Sequence, residues 1–170
     1  MKYKASLDQT AKMLTGLTFV ILAYAIIRLG FHHHFHVYRI VILCFILTVL
    51  LIIYLYTTQS YEVSKSDVII NRKIGDRKIP LTSIQEIKRV TKDDLGWGLR
   101  VCGNSGFFGY SGLYYFSKIK WVWLSAMQRI NYVLILTKDG KKRIITPDEL
   151  GLVELVNSTI QGFQNKVLNR

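Results

Sequence analysis

Hydrophobic residues run almost unbroken through two stretches near the start of the chain, and beyond Thr57 they give way to short alternations with polar residues. The first stretch, Met13 to Leu29 (MLTGLTFVILAYAIIRL), holds a single charge, Arg28, near enough to its end to snorkel to an interface. The second, Ile40 to Tyr56 (IVILCFILTVLLIIYLY), holds none. As helices of 17 residues each, they would extend about 25 Å, slightly less than a hydrocarbon core of about 30 Å and within the working range for a span. Two such runs in tandem read as membrane spans rather than as buried helices of a soluble core. The residues between them, Gly30 to Arg39, are too few for a domain, so the spans form a helical hairpin with both chain ends on one side. A small-x-small triplet, Ala23-Tyr24-Ala25, follows the basic start, but the apolar run continues past it without a polar break, so the segment reads as an anchor rather than a cleaved signal.

The remainder is patterned differently. YEVS from Tyr61, DVIINRKI from Asp67 and RKIPLTSIQEIKRV from Arg77 read as short strands, with a turn at Gly75-Asp76 and Pro80 marking an edge or a break. Leu95 to Lys120 is rich in glycine and aromatics, as in twisted strands with bulges. Trp121 to Met127, Tyr132 to Lys138 and Lys142 to Thr146 read as further strands, the last two joined by the hairpin signal Asp139-Gly140. Thr146-Pro147-Asp148-Glu149 predicts a capping box that opens a C-terminal helix. Val153, Val156, Ile160, Phe163 and Val167 then recur at spacings of three and four, an apolar stripe that needs a sheet to cover. The pattern therefore predicts an α+β chain. A transmembrane helical hairpin occupies residues 1–57, and one domain of about seven antiparallel strands, forming a barrel or sandwich with one C-terminal helix, occupies 58–170.

Charge orients this arrangement. Of the 23 Lys and Arg and 11 Asp and Glu, residues 1–56 hold five and one, leaving the domain 18 basic against 10 acidic residues. Close to the spans, Lys2, Lys4, Lys12, Lys65, Arg72 and Lys73 stand on the terminal side against Arg28 and Arg39 in the turn. The positive-inside rule then places the N- and C-termini in the cytoplasm, with the chain a multi-pass protein of the inner membrane. A basic domain tethered to a bilayer has anionic lipid beside it, so lipid or a protein, rather than nucleic acid, is the expected partner. Cys44 and Cys102 fall in different parts of the chain and form no disulfide framework.

Three strings carry a resemblance to a known family. Tyr61 to Ile70 followed by Ile79-Pro80-Leu81 and Ile84, Gly106-Phe107-Phe108-Gly109-Tyr110-Ser111-Gly112, and Asn131 to Asp148 with its Asp139-Gly140 turn occur in the order of the opening hairpin, central glycine-aromatic segment and last hairpin of membrane-associated bacterial pleckstrin-homology (PH) domains. Over roughly residues 60–163 the chain resembles that family. The resemblance implies a PH-like fold in a membrane-associated form with an N-terminal two-helix hairpin. In eukaryotic relatives of the fold the first hairpin can carry phosphoinositide-binding residues as Lys-x(n)-Arg-x-Arg, a spacing that Arg72-Lys73 and Arg77-Lys78 do not reproduce.

Candidate chemistry is sparse. Gly103, Gly106, Gly109 and Gly112 recur every third residue but lack the Lys-Ser or Lys-Thr of a phosphate loop, so they read as bulges or turns. All four histidines, His32, His33, His34 and His36, lie in the turn between the spans without nearby Cys, Asp or Glu, so a polar interfacial loop is preferred to a metal site. The domain therefore has no imidazole for a Ser or Cys triad, and Asp93-Asp94 reads as a solvated loop rather than an acid-base pair. No catalytic, cofactor or metal residues are assigned. Two basic hairpin tips are candidates for lipid or partner contact: Arg72, Lys73, Arg77 and Lys78, and Lys138, Lys141, Lys142 and Arg143. Trp97, Phe107, Phe108 and Tyr110 are candidates for an aromatic partner surface or, alternatively, for core filling. The sequence thus points to a non-enzymatic scaffold or adaptor that binds a protein partner at the cytoplasmic membrane face. Anionic-lipid binding through the basic tips and membership of a membrane transport or enzyme complex are alternatives, and homo-oligomerisation through the helices is open.

Overall fold

The computed structural model describes the backbone at residues 1–31 and 37–168, and side chains at 1–28 and 37–162. Two long apolar helices come first, α1 over Gln9–Phe31 and α2 over Val37–Leu55. Both are long and apolar enough to cross a membrane, and no residue of α2 is buried by protein. α1 starts four residues before the apolar run because Asp8 caps it: its carboxylate accepts the Ala11 N–H at 2.8 Å and its carbonyl accepts the Lys12 N–H at 3.0 Å.

Ahead of α1 lies an element the hydrophobic pattern did not predict. β1, Lys2–Lys4, pairs antiparallel with β2, Thr58–Val63, with Tyr3 opposite Tyr61. β3 (Asp67–Arg72) and β4 (Arg77–Pro80) complete a four-stranded sheet in the order β1-β2-β3-β4, and Pro80 closes the edge strand before a single 3-10 turn at Leu81–Ser83. The second sheet has six strands, ordered β5-β9-β10-β8-β7-β6. They are β5 Ile84–Val90, β6 Gly98–Ser105, β7 Tyr110–Phe116, β8 Lys120–Ala126, β9 Tyr132–Thr137 and β10 Lys142–Ile145. Neither sheet closes on itself, and the fold is α+β with a sandwich-like pair of sheets and a C-terminal helix, α4, over Gly151–Leu168.

Two details differ from the predicted all-antiparallel arrangement of about seven strands. Short strands on the far side of turns raise the number to ten among the described residues. β10 runs parallel to β8, because residues 127–131 carry the chain one strand width past β8 and the β9–β10 hairpin returns into the gap.

Both faces of the six-stranded sheet carry core residues, and one of them lies open over β6, β7 and β8. One face, with Val133, Ile135 and Ile145, packs against Tyr61, Val68 and Ile70 of the smaller sheet and Leu152, Val153 and Val156 of α4. The other, with Tyr110, Tyr114, Val122, Leu124 and Ile144, packs against Leu95 and against Ala11 in the first turn of α1. α1 therefore runs without interruption from the domain core into the apolar span. Of the expected stripe on α4, Val153 and Val156 are buried and Ile160 is half-buried, while the side chains of Phe163 and Val167 lie outside the described residues.

The capping box expected at Thr146 to Glu149 is not formed. Thr146 is fully buried and its hydroxyl accepts the Met127 N–H at 2.9 Å, while the Asp148 carboxylate accepts the Ser6 N–H at 2.8 Å. These long-range partners outcompete a local cap, and α4 starts at Gly151. The capping box in this chain is at Thr91, whose hydroxyl accepts the Asp94 N–H while the Asp94 carboxylate accepts the Thr91 N–H at 2.8 Å. It opens the single-turn helix α3, Lys92–Leu95, so the Asp93-Asp94 pair contains a capping residue. Those bonds hold the Asp94 carboxyl below its ordinary range.

Candidate functional site

The glycine-aromatic segment folds as the β6–β7 hairpin, whose register brings Gly103 opposite Gly112. A Cβ at Gly112 would stand 2.1 Å from the Cys102 carbonyl oxygen, so the two strands approach as closely as they do only because both positions are glycine. The tip of this hairpin reaches the two apolar helices. Phe108 donates its N–H to the Thr15 hydroxyl of α1 at 3.1 Å, and its ring meets Phe19 of α1 at 6.1 Å and Tyr54 of α2 at 5.2 Å, both edge-on. An apolar cleft of about 460 Å³ opens beside it between the helices, lined by Phe19, Leu47, Leu50, Leu51, Tyr54 and Phe108.

The β3–β4 turn is seated on the end of α2. Ile74 donates its N–H to the Leu55 carbonyl at 3.1 Å, and the Lys73 ammonium lies 3.4 Å from the centre of the Tyr54 ring. A cation at that position also suits the negative end of a helix. Asp8 forms the third junction: beyond capping α1, it accepts the Tyr110 hydroxyl at 3.0 Å and pairs with Arg129 at 3.4 Å. Burial, then the hydrogen bond to Asp8, pushes the Tyr110 phenol up to about 12, which keeps it a donor.

The candidate cations sit in different surroundings. Arg72, Arg77 and Arg143 are half-buried against Trp123 and Ser125 of β8, whereas Lys73 and Lys78 are exposed. Arg143 stands beside Trp123 in the β8–β10 register, and the Arg77 guanidinium carbon lies 5.6 Å from the centre of the Trp123 ring. At the other hairpin Lys141 pairs with Asp139 at 2.7 Å, Lys142 donates to the Ile119 carbonyl at 2.8 Å, and Lys138 is exposed. Hydrogen bonds from Lys141 and Thr137 hold the Asp139 carboxyl well below the usual carboxylate range.

The four candidate aromatics do not share one surface. Trp97 is exposed, Phe107 and Phe108 occupy the hairpin tip, and Tyr110 is buried in the second core. A different aromatic surface emerges across β6, β7 and β8. Leu99, Tyr115 and Trp121 share one cross-strand row and Leu113 stands beside Trp123 in the next, with the rings of Trp97 and Tyr115 6.2 Å apart and those of Tyr115 and Trp121 5.5 Å apart. Along this row Trp97 is 67 %, Leu99 59 %, Trp121 55 % and Trp123 43 % exposed, since the four-stranded sheet ends before covering it. The signal for it is legible in WVWL at Trp121 to Leu124, a strand apolar on both faces, which requires a covering layer on each.

The histidines His32, His33, His34 and His36 lie outside the described residues. Among the described residues no three His, Cys, Asp or Glu side chains are grouped to hold a metal.

No curated protein and no solved structure matches the chain. The family model for the bacterial PH domain matches residues 59–158, a stretch that takes in β2 to β10 and the first turns of α4, and with the sheets and C-terminal helix arranged as described the chain belongs to the bacterial PH domain family.

Proposed function

We propose that this protein is a non-enzymatic, membrane-anchored scaffold whose PH-like domain receives a protein partner on the open face of β6, β7 and β8. The observation that carries the reading is the row of exposed Trp97, Leu99, Trp121 and Trp123 around half-buried Tyr115, which lies outside both cores. Contiguous apolar surface of this kind, with Arg77 and Lys120 stacked on its Trp and Tyr rings, has the composition of interface hot spots. β6 is also the outermost strand of its sheet, so an extended partner segment can add to its free edge while seating side chains on the aromatic row.

Anchoring in this reading is by two spans, with both chain ends on the cytoplasmic side of the inner membrane. Pairing of β1 with β2 supports the common side, because the strand preceding α1 and the strand following α2 belong to one sheet. The domain supplies no histidine for nucleophile activation, which favours recognition over catalysis.

The test is photo-crosslinking in living cells from probes replacing Trp121 or Val101, with a probe at Asn157 on α4 as the remote control. Discrete protein adducts from the first two sites only, lost in a Trp123→Ala background, are expected, since truncating an interface tryptophan costs about 2 kcal/mol or more. Adducts to lipid alone, or the same adducts from Asn157, would overturn the reading.

A further inference from the structure

We propose that Arg72, Arg77 and Arg143 form a binding site for a phosphate group, supplied either by a lipid headgroup or by a free phosphate anion. Arg72 ends β3, Arg77 begins β4 and Arg143 sits near the start of β10, so three arginines from both sheets stand against the Trp123 to Ser125 stretch of β8. Trp123 forms the floor under Arg77, and the Ser125 hydroxyl, two residues along β8, stands 3.5 Å from an Arg72 nitrogen.

The cluster is short of acceptors. The Arg72 Nε is buried without a hydrogen-bond partner, and its contact with Ser125 is at the long limit for a bond. Among the described residues none of the three guanidinium groups is in a salt bridge, although Arg89 pairs with Glu154 at 2.9 Å and Arg129 with Asp8 at 3.4 Å. The nearby carboxylates are otherwise engaged: Asp76 accepts the Arg72 N–H at 2.8 Å, and Asp139 is held by Lys141 and Thr137. Burial, followed by the charge of Arg77, lowers the proton affinity of both Arg72 and Arg143, and the attraction of Asp76 for Arg72 and of Asp139 for Arg143 offsets this only in part.

An anion among them would supply the missing acceptors and reverse the repulsion. Planar guanidinium forks bind phosphate oxygens in bidentate fashion, and three of them match a tetrahedral group with several oxygens better than a single carboxylate. The location suits a lipid source. The turn joining Arg72 to Arg77 is bonded to the last carbonyl of α2, that of Leu55, and lies against Tyr56, where a span would leave the hydrocarbon for the headgroup layer.

The experiment uses the full chain in uncharged detergent and in nanodiscs. In the first arm inorganic phosphate is titrated against thermal midpoint, with sodium chloride at matched ionic strength as reference. In the second, native mass spectrometry counts lipids retained from nanodiscs of phosphatidylcholine alone or mixed with phosphatidic acid. A rise in midpoint specific to phosphate identifies a free anion as sufficient, and retention of phosphatidic acid without that rise identifies the headgroup. Either effect should weaken about tenfold in Arg77→Gln and Arg143→Gln, as expected for loss of a charge-assisted pair. It should persist in Lys138→Gln and Lys141→Gln, which remove the same charge outside the cluster. If Arg72→Gln does not melt cooperatively, Arg77→Gln decides, because its guanidinium rests on the Trp123 ring, whereas the Arg72 Nε is buried. Binding in neither arm by cooperatively folded wild type, or equal loss from the Lys and Arg variants, would overturn the proposal.

Discussion

Tyr61 ties the two sheets together through one hydroxyl. It donates to the Ser125 carbonyl of β8 at 2.6 Å and accepts the Thr146 N–H just beyond β10 at 3.2 Å. Removing that oxygen strands a buried carbonyl and a buried amide, so Tyr61→Phe should destabilise the chain by about 1–3 kcal/mol, read from denaturant melts in detergent. Burial pushes the phenol up from 10.0 to about 12. A proton held more tightly in the folded state stabilises fully below the unfolded value and is progressively lost as pH climbs from about 10 through 12. Stability should therefore fall across that interval, and less steeply in Tyr61→Phe than in the wild type; equal slopes would show that Tyr61 carries none of the linkage, leaving it to Tyr110, Tyr114 and Tyr132, whose phenols are also raised. Tyr61 was legible as a strand residue, but its bridging role was not, since Ser125 and Thr146 are 64 and 85 residues away.

Strands and helices separate what local pattern reveals from what it hides. α1 and α2 came directly from uninterrupted apolarity, and the hairpins at Gly75 and Gly140 from their turn residues, both of which adopt positive φ. β1 was invisible because three residues, Lys2–Lys4, carry no readable period; the strand exists because β2 presents a free edge to it. Met1 extends the junction, accepting the Val63 N–H at 2.8 Å through its carbonyl. Tyr3→Pro removes a ladder donor and a buried ring from this pairing. It should lower the thermal midpoint of the full chain and speed amide exchange along β2, while leaving the β9–β10 amides protected. Unchanged exchange in β2 would mean that β1 adds nothing to the sheet. The misplaced capping box teaches the same lesson in reverse, because Thr146 has the right local sequence and a better distant partner.

Across the whole molecule, the domain grips the apolar helices at Asp8, at Phe108 and at Ile74. The two free cysteines report how that assembly sits in a membrane: Cys44 lies within α2 and Cys102 is exposed on β6. With the domain in the cytoplasm, a membrane-impermeant maleimide should label neither in intact spheroplasts and Cys102 alone after lysis; labelling of Cys102 before lysis would place the domain outside. By itself the sequence determined two long apolar helices followed by a strand-rich domain with a C-terminal helix, because hydrophobic period and turn chemistry act over a few residues. Only the tertiary structure decided the parallel β8–β10 pair, the anchoring strand β1, the gathering of Arg72, Arg77 and Arg143, and the exposed row from Trp97 to Trp123. Each of these depends on which distant strands become neighbours, and that choice is made by burying two faces of one sheet at once.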